Sequence, residues 1–443
     1  MRVLKFGGTS VVSAERMRQV ADIVRENKSA FVVLSAMSGT TNTLVEIIHL
    51  IKEKNTDGAS GLLHELKHNY LTESRKLFSD FGEPSFLDNT IDRFFEEILQ
   101  LISRPYELEL EKELLVKGEF ITTHIFTTYL KLLGLKAENV SALQFMRTDR
   151  DGEPDQYYIS EKLTEIIDTN PKTEYFITQG YVCKNVAGNI DNLGRGGSDY
   201  SATIIGAAID AEDIQIWTDI DGMHNNDPRY VENTESVRTL SYNEAEELAF
   251  FGAKILHPTC IIPARTKNIP IFIKSTLSPE ARGTMITGKA LEEGVKAVAA
   301  KDKIIAIKIK STRMMMAYGF LRKVFEIFED FKTPIDMVTT SEITVSMTID
   351  NDEYLDEIVN KLNRFGEVTV TRNQTIVCIV GNFDARTKGM IGLVGSGLKN
   401  VPIRMISFGA SNSNITLLID TDNKPQALNY LSETLFLNTP AYV

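Results

Sequence analysis

The stretch VLKFGGTSV (residues 3–11) runs from a short apolar segment through a lysine straight into a Gly-Gly-Thr-Ser turn. An apolar strand that ends in small residues is how strands of open α/β sheets meet their ligands, because ligands bind beyond the carboxyl ends of the strands. The glycines suit a phosphate cradle, but the order is unusual. In the common phosphate loop the lysine follows the glycines, whereas here Lys5 precedes them.

Working outward from this stretch, further candidate strands lie at 31–34, 175–178, 214–218 and 271–274. Their ends carry SAMSGTTN (35–42), TQGY (178–181) and TDIDG (218–222), which point to the same site. From residue 1 to about 290, strands alternate with amphipathic helices, which predicts a layered α/β domain. Residues 42–135 read as a helical insertion forming one wall of the site. Ser241 and Glu244 form a capping box that starts another helix.

The last part of the chain holds an internal repeat. PIDMVTTSEITVSMTID (334–350) matches PIRMISFGASNSNITLLID (402–420), each with a strand and a helical segment before it and a helix after it. This order predicts two ferredoxin-like βαββαβ units. The first copy gains a closing strand from EVTVT (367–371), while the second has none after its helix. VKAVAAK (295–301) is a strand without a place in the first copy. It is therefore expected to complete the second, so that the first repeat is inserted in the second. The expected domains are 1–290, 303–372, and 295–301 with 375–443.

Composition narrows the function. The 443 residues, 43% hydrophobic and 24% charged, describe a globular protein of two or three domains. A net charge of −12 argues against a nucleic-acid partner, which would show a basic stripe. Cys183, Cys260 and Cys378 are scattered, so neither a disulfide framework nor a thiolate metal site is expected. There is no run of 18 apolar residues and no apolar signal core near residue 1, so no membrane span and a cytoplasmic location are expected.

Three motif matches carry little. HELKH (64–68) fits a zinc pattern but sits in a charged helical segment with no third ligand apparent. GTMITGKA (283–290) has Ala290 where a phosphate loop needs a hydroxyl, and it reads as a linker between the two halves. TDIDGMHNNDP (218–228) lacks the spacing and closing glutamate of a calcium loop.

NLGRGGSDYSATIIGAAI (192–209) is more specific. Glycine turns surround Arg195, and Ser198 and Asp199 open an alanine-rich helix. Turns and helix N-termini present N–H groups to anions, and an arginine can clamp a carboxylate in bidentate fashion. An anion clamp beside Asp199 is what a zwitterionic amino acid requires.

KFGGTS, SAMSGTTN, TQGY, GRGGSDYSA, WTDIDG, DPR and FGAKILHP follow one another in the order found in aspartate kinases of the amino-acid kinase superfamily, which this chain resembles over essentially its whole length. The repeats look like the paired ACT domains of such enzymes, and the chain is most similar to the monofunctional lysine-sensitive type. The resemblance implies a three-layer α/β/α catalytic domain, with ATP and Mg²⁺ as cosubstrate, aspartate as acceptor, lysine as effector and a homodimer through the ACT domains. Lys5, Arg195, Asp199 and Lys254 would be catalytic. Thr41, Glu119, Tyr181, Arg195, Gly196, Gly197, Ser198 and Asp199 would bind aspartate. Lys5, Gly7, Gly8, Ser10, Thr218, Asp219, His224, Asp227, Arg229 and Lys254 would bind the nucleotide, with His224 standing where the family usually has tyrosine. Met314, Gly319, Asp336, Thr340, Ser341 and Glu342 would form the lysine site, and Met316 replaces a histidine of the relatives. No residues are expected to bind a metal directly.

The chemistry is consistent on its own terms. A carboxylate acceptor is already ionised at neutral pH and needs no general base. The site then needs alignment and charge neutralisation. Two alternatives stay open on the residues: another amino-acid kinase, such as a glutamate or acetylglutamate kinase, or an amino-acid sensor without catalysis.

Overall fold

The computed structural model describes the chain apart from residues 83–84, 195, 253–255, 289–293, 315–317, 384–387 and 438–443 and the side chains of 85–87 and 313. The chain forms two compact units. One comprises Met1–Met223 with Leu256–Lys289, and the other His224–Ile255 with Ala290–Val443.

The first unit begins with β1 (Arg2–Phe6), β2 (Ala30–Leu34), β3 (Ala137–Asn139) and β4 (Tyr175–Gln179). A small hairpin of β5 (Val182–Lys184) and β6 (Ile190–Asn192) follows, and then β7 (Ile214–Thr218). The chain next contributes β8 (Thr239–Ser241) and the helix Tyr242–Phe251 to the second unit. The Ser241–Glu244 capping box at that helix is formed in both directions. Back in the first unit come β9 (Ile271–Ser275) and β10 (Thr284–Thr287).

The strands of this unit lie in the order β3-β4-β2-β1-β7-β9-β10. β1 pairs in parallel with β2 on one side and β7 on the other, so its end lies at the middle of the sheet. β2 is AFVVL and buried throughout, the continuous apolar run that a strand covered on both faces requires. The expected helical insertion is present as Thr40–Lys52, Thr56–Phe78, Ser85–Ile102, Leu108–Leu115 and Lys117–Leu132. Its apolar faces share one core with Leu4, Phe6, Val32 and Leu34. One expectation is corrected here. Residues 284–287 are not part of a linker but form β10, antiparallel to β9, with Thr284 and Ile286 buried. Burial alternates along this strand, but T-M-I-T itself shows no apolar/polar alternation, and the phosphate-loop likeness obscured it further.

In the second unit the strands are β11 (Gly294–Lys310), β12 (Val338–Thr340), β13 (Thr344–Ile349), β14 (Glu367–Asn382), β15 (Met405–Phe408) and β16 (Asn414–Asp420). They form one sheet in the order β12-β13-β11-β14-β16-β15. Its two central strands each serve both repeats. Residues 305–310 of β11 pair with β13, while 294–301 pair with 376–382 of β14, which in turn pairs with β16. The first repeat is thus inserted in the second. Each half has its own core, one around Ile307, Val324, Met347 and Ile358, the other around Ile379, Leu417, Leu428 and Leu431. Where the halves join, the β11–β14 register shifts between Lys301 and Ile304, and Lys303 (φ 64) and Asn373 (φ 55) adopt left-handed backbone.

Candidate active site

The end of β1 delivers Lys5, only 9% exposed, into a cleft of about 590 Å³. Its ammonium lies 2.6 Å from Oδ1 of Asp199. Asp199 stands in the first turn of the helix Gly197–Ala208, where an acidic side chain complements the helix dipole. That helix starts from Gly196 in left-handed backbone (φ 70), and a Cβ there would fall 2.6 Å from that of His257. On the opposite side of the turn, a Cβ on Gly8 would come 2.8 Å from the Ala36 carbonyl oxygen. Glycine at position 8 therefore lets the 35–42 loop close on the β1 turn.

Glu119 lines the same cleft from the helix Lys117–Leu132. It is 4% exposed, and its Oε2 has no hydrogen-bond partner among the described residues. Burial pushes its carboxyl up to about 8, although the Glu119 and Ala36 N–H groups donate to it. An acid buried in a cleft and held largely neutral by desolvation is a functional-site candidate. Tyr181, also in the cleft wall, is held at φ 70, with its N–H donated to Ser201 Oγ at 2.9 Å. Left-handed backbone at a tyrosine is the sort of strain that gathers at functional sites.

A group that the sequence reading missed supports this wall. Tyr70, 1% exposed in the helix Thr56–Phe78, has its hydroxyl 3.0 Å from Thr40 Oγ1 and 3.3 Å from Thr122 Oγ1. Thr122 donates its one hydroxyl proton to the Gly118 carbonyl and accepts from the Met37 N–H. Tyr70 must then donate to Thr122 and accept from Thr40, so every hydroxyl proton has one place to go. The available signal was a tyrosine on the buried stripe Ala59, Leu63, Leu66, Tyr70 and Leu77, since a buried hydroxyl needs a partner.

The other sequence candidates are distributed as follows. Thr41, Gly196, Gly197 and Ser198 line the cleft with Lys5, and Gly7 lies directly after the strand. Ser10 is 1% exposed, its hydroxyl 3.3 Å from Thr276 Oγ1. Thr218 ends β7 and donates to Asp219. His224, Asp227 and Arg229 belong to the second unit. There His224 Nδ1 is 2.8 Å from Thr234 Oγ1. Burial works against Asp227 ionisation, but bonds from Arg229 hold its carboxyl below the ordinary value. Arg195, Lys254 and Met316 lie outside the described residues.

In the first repeat, Gly319 caps the helix Phe320–Asp330, Thr340 ends the edge strand β12, and Ser341 and Glu342 make the turn into β13. Met314 packs on that repeat's core, and Asp336 is bonded to Lys301. Among the described residues, no cluster of His, Cys, Asp or Glu is arranged to hold a metal, and no helix is long and apolar enough to cross a membrane.

A central parallel sheet with a lysine and a glycine turn at its middle strand, facing a glycine-started helix, is the arrangement of an amino acid kinase. The model of the amino acid kinase family matches residues 1–275, and that of the ACT domain matches residues 377–435. Aspartokinase 2 (chloroplastic) of Arabidopsis thaliana is 33% identical, the match covering 99% of this chain and 85% of that protein. Lysine-sensitive aspartokinase 3 of Escherichia coli is 31% identical over 98% of this chain and 99% of that one. The solved E. coli aspartokinase III in complex with aspartate and ADP superposes with a TM-score of 0.85 at 30% identity, covering 98% of this chain and 100% of that chain. The same enzyme in complex with lysine and aspartate gives 0.80, covering 98% of this chain and 99% of that chain. The chain belongs to the aspartokinases.

Proposed function

We propose that the protein transfers the γ-phosphoryl group of ATP to the side-chain carboxylate of L-aspartate, giving 4-phospho-L-aspartate and ADP. This is the first step toward lysine, threonine and methionine. The observation that carries this reading is one cleft lined both by Lys5, ion-paired with Asp199, and by Glu119, whose buried Oε2 has no hydrogen-bond partner among the described residues. Asp199 is bonded to Lys5, so the substrate's α-ammonium falls to Glu119, with Arg195 as the clamp for the α-carboxylate.

In the transfer, a β-carboxylate oxygen forms a bond to the γ-phosphorus while the bond to the β,γ-bridging oxygen breaks. No proton has to leave the acceptor. Lys5 and the N–H groups of Gly7 and Gly8 would stabilise charge on the transferring phosphoryl group. Thr218 and Asp219, with His224, Asp227, Arg229 and Lys254, would hold the nucleotide. Mg²⁺ would arrive on the phosphates rather than in a protein cage. The ACT repeats would bind lysine as an inhibitor, and the working form would be a homodimer through those repeats.

The test is an ADP-release assay with aspartate, glutamate, acetylglutamate and a nucleoside monophosphate as acceptors, each with and without L-lysine. Turnover with aspartate alone, depressed by lysine, is expected. Absence of turnover with aspartate would sink the proposal.

A further inference from the structure

The two repeats can be compared position by position. Asp336 of the first aligns with Arg404 of the second, and Asp350 aligns with Asp420. In the second repeat the pair closes on itself, with Arg404 Nε 2.9 Å from Asp420 Oδ1 and Nη2 3.2 Å from Oδ2. The Gln374 amide also donates to Asp420. Charge there is balanced.

In the first repeat both positions are acids, and the cation comes from elsewhere. Lys301 Nζ lies 2.9 Å from Asp336 Oδ1 and 2.9 Å from Asp350 Oδ2, with the Phe250 ring centroid 4.4 Å away. One ammonium against two carboxylates leaves one negative charge. It has a definite location, because the Asp336 side chain is 3% exposed and its Oδ2 has no partner among the described residues. Burial keeps the Asp336 carboxyl above its ordinary value even with Lys301 beside it, so the site is short of positive charge.

We propose that Lys301 is an internal stand-in for the effector's ammonium group, holding Asp336 in the effector-free enzyme and setting the effector concentration at which the enzyme responds. This rests on the reading of the first repeat as the lysine site. A free diammonium amino acid then competes with Lys301 for Asp336, and its apparent affinity is its intrinsic affinity reduced by the cost of displacing that side chain. Lys301 is also the last residue before the register shift between the repeats, so its release acts directly on that joint. The second repeat, with a guanidinium fixed where the acid would be, offers no such exchange.

The test uses the full-length enzyme, with L-lysine titrated in the aspartate and ATP rate assay and by calorimetry. Lys301→Met is expected to lower the half-inhibitory lysine concentration about tenfold, equivalent to about 1.4 kcal/mol. Lys301→Arg, which keeps the charge, should stay near wild type. Asp350→Asn leaves Lys301 undivided on Asp336 and should raise the midpoint roughly threefold, the effect of removing one half-exposed partner. Uninhibited rates should not change.

The proposal is overturned if Lys301→Met leaves the midpoint unmoved or raises it, or if Asp350→Asn shifts it in the same direction as Lys301→Met. Should circular dichroism show that Lys301→Met does not fold, the direction of the Asp350→Asn shift decides. A wild-type enzyme that neither binds nor responds to lysine refutes the effector reading itself, before any variant is made.

Discussion

Replacing Glu119 with glutamine keeps the shape of the side chain and removes only its ability to ionise. The wild-type carboxyl is pushed by burial from the ordinary 4.5 to about 8, so in the proposed binding mode an α-ammonium would meet it in the minority ionised form over much of the neutral range. With a midpoint of about 8, the ionised share is about 3% at pH 6.5, 24% at pH 7.5 and 76% at pH 8.5, and apparent affinity scales with that share. The dissociation constant for aspartate should therefore fall about 25-fold from pH 6.5 to 8.5, with close to one proton released per aspartate bound at the acid end. Calorimetry in two buffers of different ionisation enthalpy measures both quantities. Glu119→Gln should bind weakly and with little pH dependence. The same group affects stability. Its folded value is raised, so the stabilisation is complete below about 4.5 and is lost as pH rises through 8, by an amount on the order of 4–5 kcal/mol. Urea denaturation of the wild type should show that loss and the glutamine variant should not. A flat wild-type binding profile, or an equal slope in Glu119→Gln, refutes the reasoning.

Three further outcomes are expected. Lys5→Met should abolish turnover while leaving calorimetric lysine binding intact, because Lys5 lies in the first unit and the residues proposed to bind lysine lie in the second; loss of both would mean that the fold has failed. Tyr70→Phe leaves the Thr40 hydroxyl without its acceptor and should cost roughly 1–2 kcal/mol in urea denaturation while raising the aspartate KM more than it lowers kcat. All three cysteines are buried, and burial raises the thiols of Cys183 and Cys260 to about 12 and that of Cys378 well above its ordinary value. Mass spectrometry after iodoacetamide treatment at pH 8 should therefore find no native adduct and three adducts in urea.

Much of this architecture is legible from the chain. Strands that end in glycine turns declare a parallel sheet and where it opens. Counting strands in the repeats shows that one is missing at the end and one is spare at 295–301, which fixes the insertion. Pairing is harder to read, because it depends on three-dimensional neighbours. Lys5 and Asp199 are 194 positions apart, and nothing local says that this acid answers the lysine while Glu119 is ion-paired with none of the described residues. Tyr70 is hidden for a similar reason, since helical periodicity marks it as core without naming the hydroxyls that meet it. The strand 284–287 was obscured by its likeness to a phosphate-binding loop.

The shared strands β11 and β14 have a consequence for how the repeats depend on one another. Lys301 pairs with Ile376, so the whole first repeat sits at the tip of a hairpin belonging to the second. When the first repeat is folded, that hairpin is closed by a short, fixed connection. When it is unfolded, the same hairpin must close a loop of about 70 residues, and the entropy of closure grows by about 3 kcal/mol relative to a two-residue turn. Anything that orders the first repeat therefore stabilises the second through the chain itself, without any side chain passing between them.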